Sequence, residues 1–134
     1  STLMRSSAAS DVYKRQVFDL LTDMESNRKH GYDYIILDPP AFTKSRDTIG
    51  SAVKGYKAIN AKAMKLLPRG GYLATCSCSH FMTDELFRKM LHNAAEDAGV
   101  QLRQIEARQQ APDHPILWNV PETDYLKFYI FQIV

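Results

Sequence analysis

Cysteine is scarce in this sequence, with only Cys76 and Cys78 among 134 residues. Two positions apart on one chain, they cannot readily reach disulfide geometry, so a disulfide-stapled secreted scaffold is excluded. A reducing, cytoplasmic setting is the expectation. Long apolar runs are also lacking: none approaches the roughly 18 residues of a membrane span, and no signal-peptide core opens the chain. Charge of one sign is missing too. The 17 Lys+Arg face 15 Asp+Glu, and a formal +2 is too small to argue for nucleic acid from electrostatics. His80 and His114 lack metal-ligand spacing, so no metal is expected. What remains is 45% hydrophobic and 24% charged, the composition of an ordinary globular domain. A chain of this length can bury about two-thirds of its unfolded surface, enough for a core without staples.

Residues 6–16, Ser-Ser-Ala-Ala-Ser-Asp-Val-Tyr-Lys-Arg-Gln, show neither a helical nor a strand period. Their composition would suit a flexible polar arm. The string also resembles the in-frame translation of a transposon adaptor used in preparing DNA sequencing libraries. On that resemblance residues 1–16 are non-native, and 17–134 form part of a larger domain. Arg5, Lys14 and Arg15 against Asp11 fall in this segment, so setting it aside cancels the formal positive excess.

From Val17 onward strands alternate with helices. Tyr32–Leu37 is short and rich in β-formers, which predicts a parallel strand buried on both faces. Pro39 and Pro40 stop it. Val53, Tyr56, Ile59, Asn60, Ala63, Leu66 and Leu67 recur at three- and four-residue spacing, predicting a helix over 50–67 that ends at Pro68 and Gly70-Gly71. A second strand is expected over 72–76. Thr83 can cap a helix with Asp84 and Glu85 in its first turn, Leu86, Phe87, Met90, Leu91, Ala94, Ala95 and Ala98 on its buried stripe, and Gly99 as its stop. Strands follow over 100–107 and 125–134, separated by a long loop holding Pro112, His114, Pro115, Pro121 and the lone Trp118. This is an α/β layer with a mainly parallel sheet of about four strands and flanking helices.

Ligand sites in such sheets lie beyond the carboxyl ends of the strands, where this chain has Asp38-Pro39-Pro40-Ala41-Phe42 and Ser77-Cys78-Ser79. Two prolines would hold the Asp38 carboxylate with little freedom left to lose on binding. On the residues alone, Asp38 reads equally as a loop carboxylate bonding backbone donors, and Cys78 as a small buried thiol like Cys76. Tyr56 is expected to pack. Lys57 is a candidate phosphate contact or a solvated surface charge. Phe42 either stacks on a base or packs on the core, and His114 is a rigid loop element near the substrate or a structural histidine.

Asp38-Pro39-Pro40-Ala41-Phe42, Gly55-Tyr56-Lys57-Ala58-Ile59-Asn60, Gly70-Gly71-Tyr72-Leu73, Ser77-Cys78-Ser79, Asp113-His114-Pro115 and Pro121-Glu122-Thr123-Asp124-Tyr125-Leu126-Lys127 occur in that order. In this the chain resembles the C-terminal half of bacterial 23S rRNA cytosine-5 methyltransferases of the large-subunit I type. The resemblance implies a Rossmann-like class I methyltransferase sheet truncated at its N-terminus, with S-adenosylmethionine as cofactor and ribosomal RNA as partner. It implies that Cys78 adds to C6 of a flipped cytosine and that Asp38 stabilises the adduct, with Pro39, Pro40, Phe42, Ser77, Ser79 and His114 around the substrate and Asp38 and Pro39 also toward the cofactor. Many RNA cytosine-5 methyltransferases have Pro-Cys at the first motif, where this chain has Pro39-Pro40, so the group that removes the C5 proton is unassigned. Gly-x-Gly-x-Gly occurs nowhere, and Gln16 stands where the family has an acidic residue. The expectation is therefore that this polypeptide is inactive alone, its first strand exposing an unpaired edge. Two rival readings are an N-methyltransferase acting on an exocyclic base amine and a non-catalytic RNA-binding module.

Overall fold

Residues 20–22, 32–39 and 46–134 are described by the computed structural model of the chain; residues 1–16, Pro40 and Phe42 lie outside them. Strand β1 spans Tyr34–Leu37, helix α1 Ile49–Leu66, β2 Tyr72–Ser77, α2 Asp84–Ala98, β3 Leu102–Arg108 and β4 Lys127–Ile133. Single 3-10 turns at Arg46–Thr48 and Pro121–Thr123 precede α1 and β4.

The sheet order is β1-β2-β4-β3. β1 pairs with β2 in parallel, while β4 runs antiparallel to both of its neighbours. The last strand thus turns back and inserts between β2 and β3. The sheet is therefore mixed rather than mainly parallel: three strands run one way, but the central position of opposing β4 makes two of the three pairings antiparallel.

Residues directly paired across a sheet share a face. Leu37 pairs with Thr75, Thr75 with Tyr129, Leu73 with Phe131 and Ser77 with Lys127, which defines the face packed by the helices. Burial in β4 alternates strictly, with Lys127, Tyr129, Phe131 and Ile133 inward. Tyr56 and Phe87 meet edge to face at 6.3 Å, and Phe87, Tyr129 and Phe131 form a stack with centroid separations of 6.0 and 5.7 Å. These rings join both helices to β4 through one apolar cluster.

Helix α1 buries Tyr56, Ile59, Asn60, Ala63 and Leu66, the stripe that its spacing predicts. Buried Asn60 needs partners, and it finds them: its Nδ2 donates to the Tyr56 carbonyl at 2.8 Å, and Thr75 Oγ1 donates to its Oδ1 at 2.7 Å. That pair sets α1 against β2 at one register. Thr83 Oγ1 accepts from Leu86 N at the start of α2. At the end, Gly99 takes the left-handed conformation at φ 69°, and its N–H reaches the Ala95 and Glu96 carbonyls.

One expectation is corrected. β1 is not buried on both faces, since Tyr34 and Ile36 are 42% and 43% exposed. Among the described residues β1 is an edge strand whose second face is exposed.

Candidate active site

β1 and β2 are parallel, so their carboxyl ends lie side by side, and the chain following each carries the predicted chemistry. Asp38 directly follows β1, its carboxylate exposed and Pro39 buried behind it. Cys76 is the penultimate residue of β2 and Cys78 the first beyond it. Cys76 is buried and Cys78 is exposed. The Cys76 thiol donates to Asp38 Oδ1 at 3.2 Å and lies 3.6 Å from the Leu37 carbonyl. Burial first, then the Asp38 charge and hydrogen bond and the neighbouring Cys78, push the Cys76 thiol far up, so it stays protonated. A permanent thiol donor therefore orients the Asp38 carboxylate. Sequence reasoning reads Cys76 as an ordinary buried thiol and misses this link, because the partners are 38 residues apart.

The turn carrying Cys78 is fastened at both sides. Ser77 is fully buried, with its Oγ 3.2 Å from Tyr56 Oη and accepting from Ser79 N at 3.4 Å. Ser79 is buried as well. Its carbonyl accepts from Met82 N and from Lys127 Nζ, while its Oγ is buried with no hydrogen-bond partner among the described residues. Beside the exposed thiol this orphaned hydroxyl retains one unused donor and acceptor. Between two anchored serines, Cys78 projects outward, which removes the reading of it as a small core residue.

Lys127 has no counterpart in the sequence-based expectations as a site residue. Its ammonium donates to Ser79 O at 2.5 Å and to Tyr125 O at 2.7 Å, and its relative exposure is 6%. Burial lowers its pKa, and the charges of Asp124, Cys78 and Asp84 oppose that. A buried cation thus lies within electrostatic reach of Cys78. The usable signal was β4's alternation, which places Lys127 inward at the very start of the strand.

His114 is on the loop between β3 and β4, exposed, 3.9 Å from Asp113 and tied by its N–H to the Ala111 carbonyl. Lys57 is not held for phosphate: its ammonium meets Asp97 of α2 at 3.3 Å on the surface. Pro40 and Phe42 lie outside the described residues. A cavity of about 750 Å³ opens on the β4–β3 side of the Cys78 turn, lined by His80 and Lys127 among others. Among the described residues no cluster of His, Cys, Asp and Glu fits a metal ion, and no helix is long and apolar enough to cross a membrane.

No family model matches the chain. It is 41% identical over 128 residues to a protein of Pseudoalteromonas atlantica named Ribosomal RNA large subunit methyltransferase I, covering 96% of this chain and 32% of that protein. A Salmonella paratyphi B protein of the same name is 41% identical over 127 residues, covering 93% of this chain and 31% of its own length. The longer match exceeds residues 17–134 and so reaches into the N-terminal segment read above as foreign. Among solved structures, a putative methyltransferase complexed with SAH superposes with a TM-score of 0.67 at 22% identity, over 87% of this chain and 30% of its own. A putative SAM-dependent methyltransferase from Streptococcus mutans superposes at 0.69 and 22% identity, over 87% and 29%. These two establish the Rossmann-like methyltransferase fold. Sharing that fold, and the sequence of the curated relatives over nearly all of its own length, the chain is a homologue of the ribosomal RNA large subunit methyltransferase I proteins and spans about a third of them.

Proposed function

We propose that this chain carries the catalytic end of an S-adenosylmethionine-dependent methyltransferase acting on C5 of a cytosine in 23S rRNA. The observation that carries the reading is the exposed Cys78 on a turn anchored at Ser77 and Ser79, beside an Asp38 held by the Cys76 thiol. C5 of cytosine is too electron-poor to attack a sulfonium methyl directly. A thiolate bond from Cys78 to C6 converts C5 into an enamine-like carbon that can do so. Asp38, exposed, accepts from the exocyclic amine through one oxygen and, in its carboxylic acid form, donates to N3 through the other as negative charge develops on the ring. After transfer the C5 proton departs to a base, and Cys78 is expelled with its electron pair. Cys76 is not that base, because its buried thiol remains protonated. Ser79, whose buried hydroxyl has no partner among the described residues, is assigned as a substrate contact. Ser77, fully buried, acts by holding the turn.

Bound S-adenosylmethionine supplies the electrophilic methyl group. The donor set fits its amine-bearing end, since Asp38 offers an exposed carboxylate backed by Pro39. The sequence holds no Gly-x-Gly-x-Gly, so most of the cofactor's hold comes from outside it, and the chain alone does not methylate.

The test joins this chain to the remainder of the Pseudoalteromonas atlantica relative and incubates the product with S-adenosylmethionine and rRNA containing 5-fluorocytidine. Fluorine at C5 prevents the release step, so a covalent RNA adduct on Cys78 is expected by mass spectrometry. Methylation that persists in Cys78→Ala without any adduct would instead establish methyl transfer to an exocyclic amine.

A further inference from the structure

The chain's single tryptophan is left almost wholly in water: Trp118 is 97% exposed. It stands on a built turn nonetheless. Leu117 and Val120 pair as an isolated bridge, with Val120 N donating to Leu117 O at 3.0 Å. Thr123 Oγ1 accepts from Leu117 N at 2.8 Å and donates to the Val120 carbonyl at 2.7 Å. The Gln110 side chain ties the Thr123 carbonyl and Leu126 N to the chain leaving β3. A large planar side chain exposed on a turn already ordered is a preorganised platform, since its loop loses little freedom when a ligand arrives.

The 750 Å³ cavity lies beside it, with Leu117 and Trp118 at one wall, Arg88 of α2 and Arg108 at the end of β3 as guanidinium groups, the Arg108 Nε donating to Glu106 Oε2 at 2.8 Å, and His80 and Lys127 toward Cys78. Of the two carboxylates on its wall, Asp84 is taken up by the Tyr129 hydroxyl. In sheet order, Asp38 ends β1 on one side of β2, whereas β4 and β3, which wall the cavity, lie on the other. A strand crossing the Cys78 turn would pass from one to the other.

We propose that this cavity binds a single-stranded RNA nucleotide adjoining the reacting base, its base stacked on Trp118 and its phosphate against Arg88 and Arg108. The inference rests on reading the chain as part of an RNA methyltransferase, and it assigns a hold on the flanking strand. An enzyme that draws a base out of its stack must grip the neighbouring backbone, and an indole with two guanidinium groups does so without regard to base identity.

Because the chain has one tryptophan, its fluorescence reads this site alone. Titration of the 134-residue chain with a short single-stranded oligocytidylate is expected to quench Trp118 saturably and to weaken steeply as salt rises. Trp118→Ala, followed by anisotropy of labelled RNA, and the double variant Arg88→Ala/Arg108→Ala are each expected to weaken binding about tenfold or more. Unchanged far-UV circular dichroism would show that the variants fold. Absence of binding, binding without quenching, or wild-type affinity in Trp118→Ala would overturn the proposal. The Cys78 chemistry is read separately. Quenching in a protein that forms no 5-fluorocytidine adduct keeps this site and removes the chemistry. Adduct formation in Trp118→Ala with unchanged RNA dependence does the reverse.

Discussion

The turn at Ser77–Ser79 is anchored inward, through Ser77 to Tyr56 in the core and through Ser79 to the buried Lys127. The loop that ends at Tyr125 is anchored on itself, with Thr123 and Gln110 closing exposed or half-buried hydrogen bonds within its own length. Both reach the same end of the sheet. A turn fastened to the core moves only if the core moves, which suits a nucleophile that must meet its target atom with little error. A self-closed loop changes without disturbing the fold, which suits a surface that grips a variable strand. Lys127 joins the two, since its ammonium bonds Ser79 O in the turn and Tyr125 O at the loop's end.

The largest expected effect breaks the chemistry and spares both structures. In the reconstituted enzyme the proposed role of Cys78 as nucleophile predicts that Cys78→Ala reduces methylation on the order of 10³-fold or more, with thermal unfolding unchanged because the side chain is exposed. Equal loss of stability would place Cys78 among the packing residues instead.

Phe87→Ala attacks the anchored side. Fully buried between Tyr56 and Tyr129, the ring should cost about 3–5 kcal/mol when removed. Chemical denaturation followed by circular dichroism and by reactivity of Cys76 should show the core and the turn failing together. Lys127→Met tests the link: the half-buried Tyr125 carbonyl loses its ammonium donor and the buried Ser79 carbonyl keeps only Met82 N, for an expected loss of about 1–3 kcal/mol. Trp118 emission and Cys78 alkylation should both change in this variant, whereas a change in only one would show that Lys127 serves a single region.

Alkaline pH sharpens the contrast with definite signs. Tyr129, buried and hydrogen-bonded to Asp84, has its pKa pushed up to about 12 from 10.0, so its contribution is fully present below pH 10 and falls as pH climbs toward 12. Cys76, also raised, loses stability in the same direction above its ordinary value of 9.0. Lys127 is depressed: the unfolded chain binds its proton more tightly, so stability rises with pH between its folded value and 10.5. Above pH 10.5 the Lys127 gain has ended while the Tyr129 and Cys76 losses continue, which predicts net destabilisation there. Tyr129→Phe should flatten the part of that decline between pH 10 and 12 in urea titrations.

The smallest effect belongs to the self-closed loop. Thr123→Val removes its organising hydroxyl and should cost about 0.5–1.5 kcal/mol locally, seen as changed Trp118 anisotropy with the global midpoint nearly fixed. A large midpoint shift would show that the loop, too, is anchored in the core.

Much of this was legible in the residues because it is local. The α1 stripe repeats every three to four positions, Thr83 caps α2 three residues from its acceptor's donor, and Gly99 stops it; each depends on neighbours within a turn. Asp38 and Cys78 could be placed at strand ends because prolines and polar runs punctuate the chain there. The insertion of β4 between β2 and β3, the Cys76 thiol on Asp38, the buried ammonium of Lys127 on Ser79 and the exposed Trp118 beside two arginines could not. The paired residues are 38 and 48 positions apart, and no periodicity reports which distant strand a residue will face. That choice is made when the sheet closes its register and buries one face against the helices, which is the step that turns an ordinary thiol into a positioning group and a lysine into a clamp.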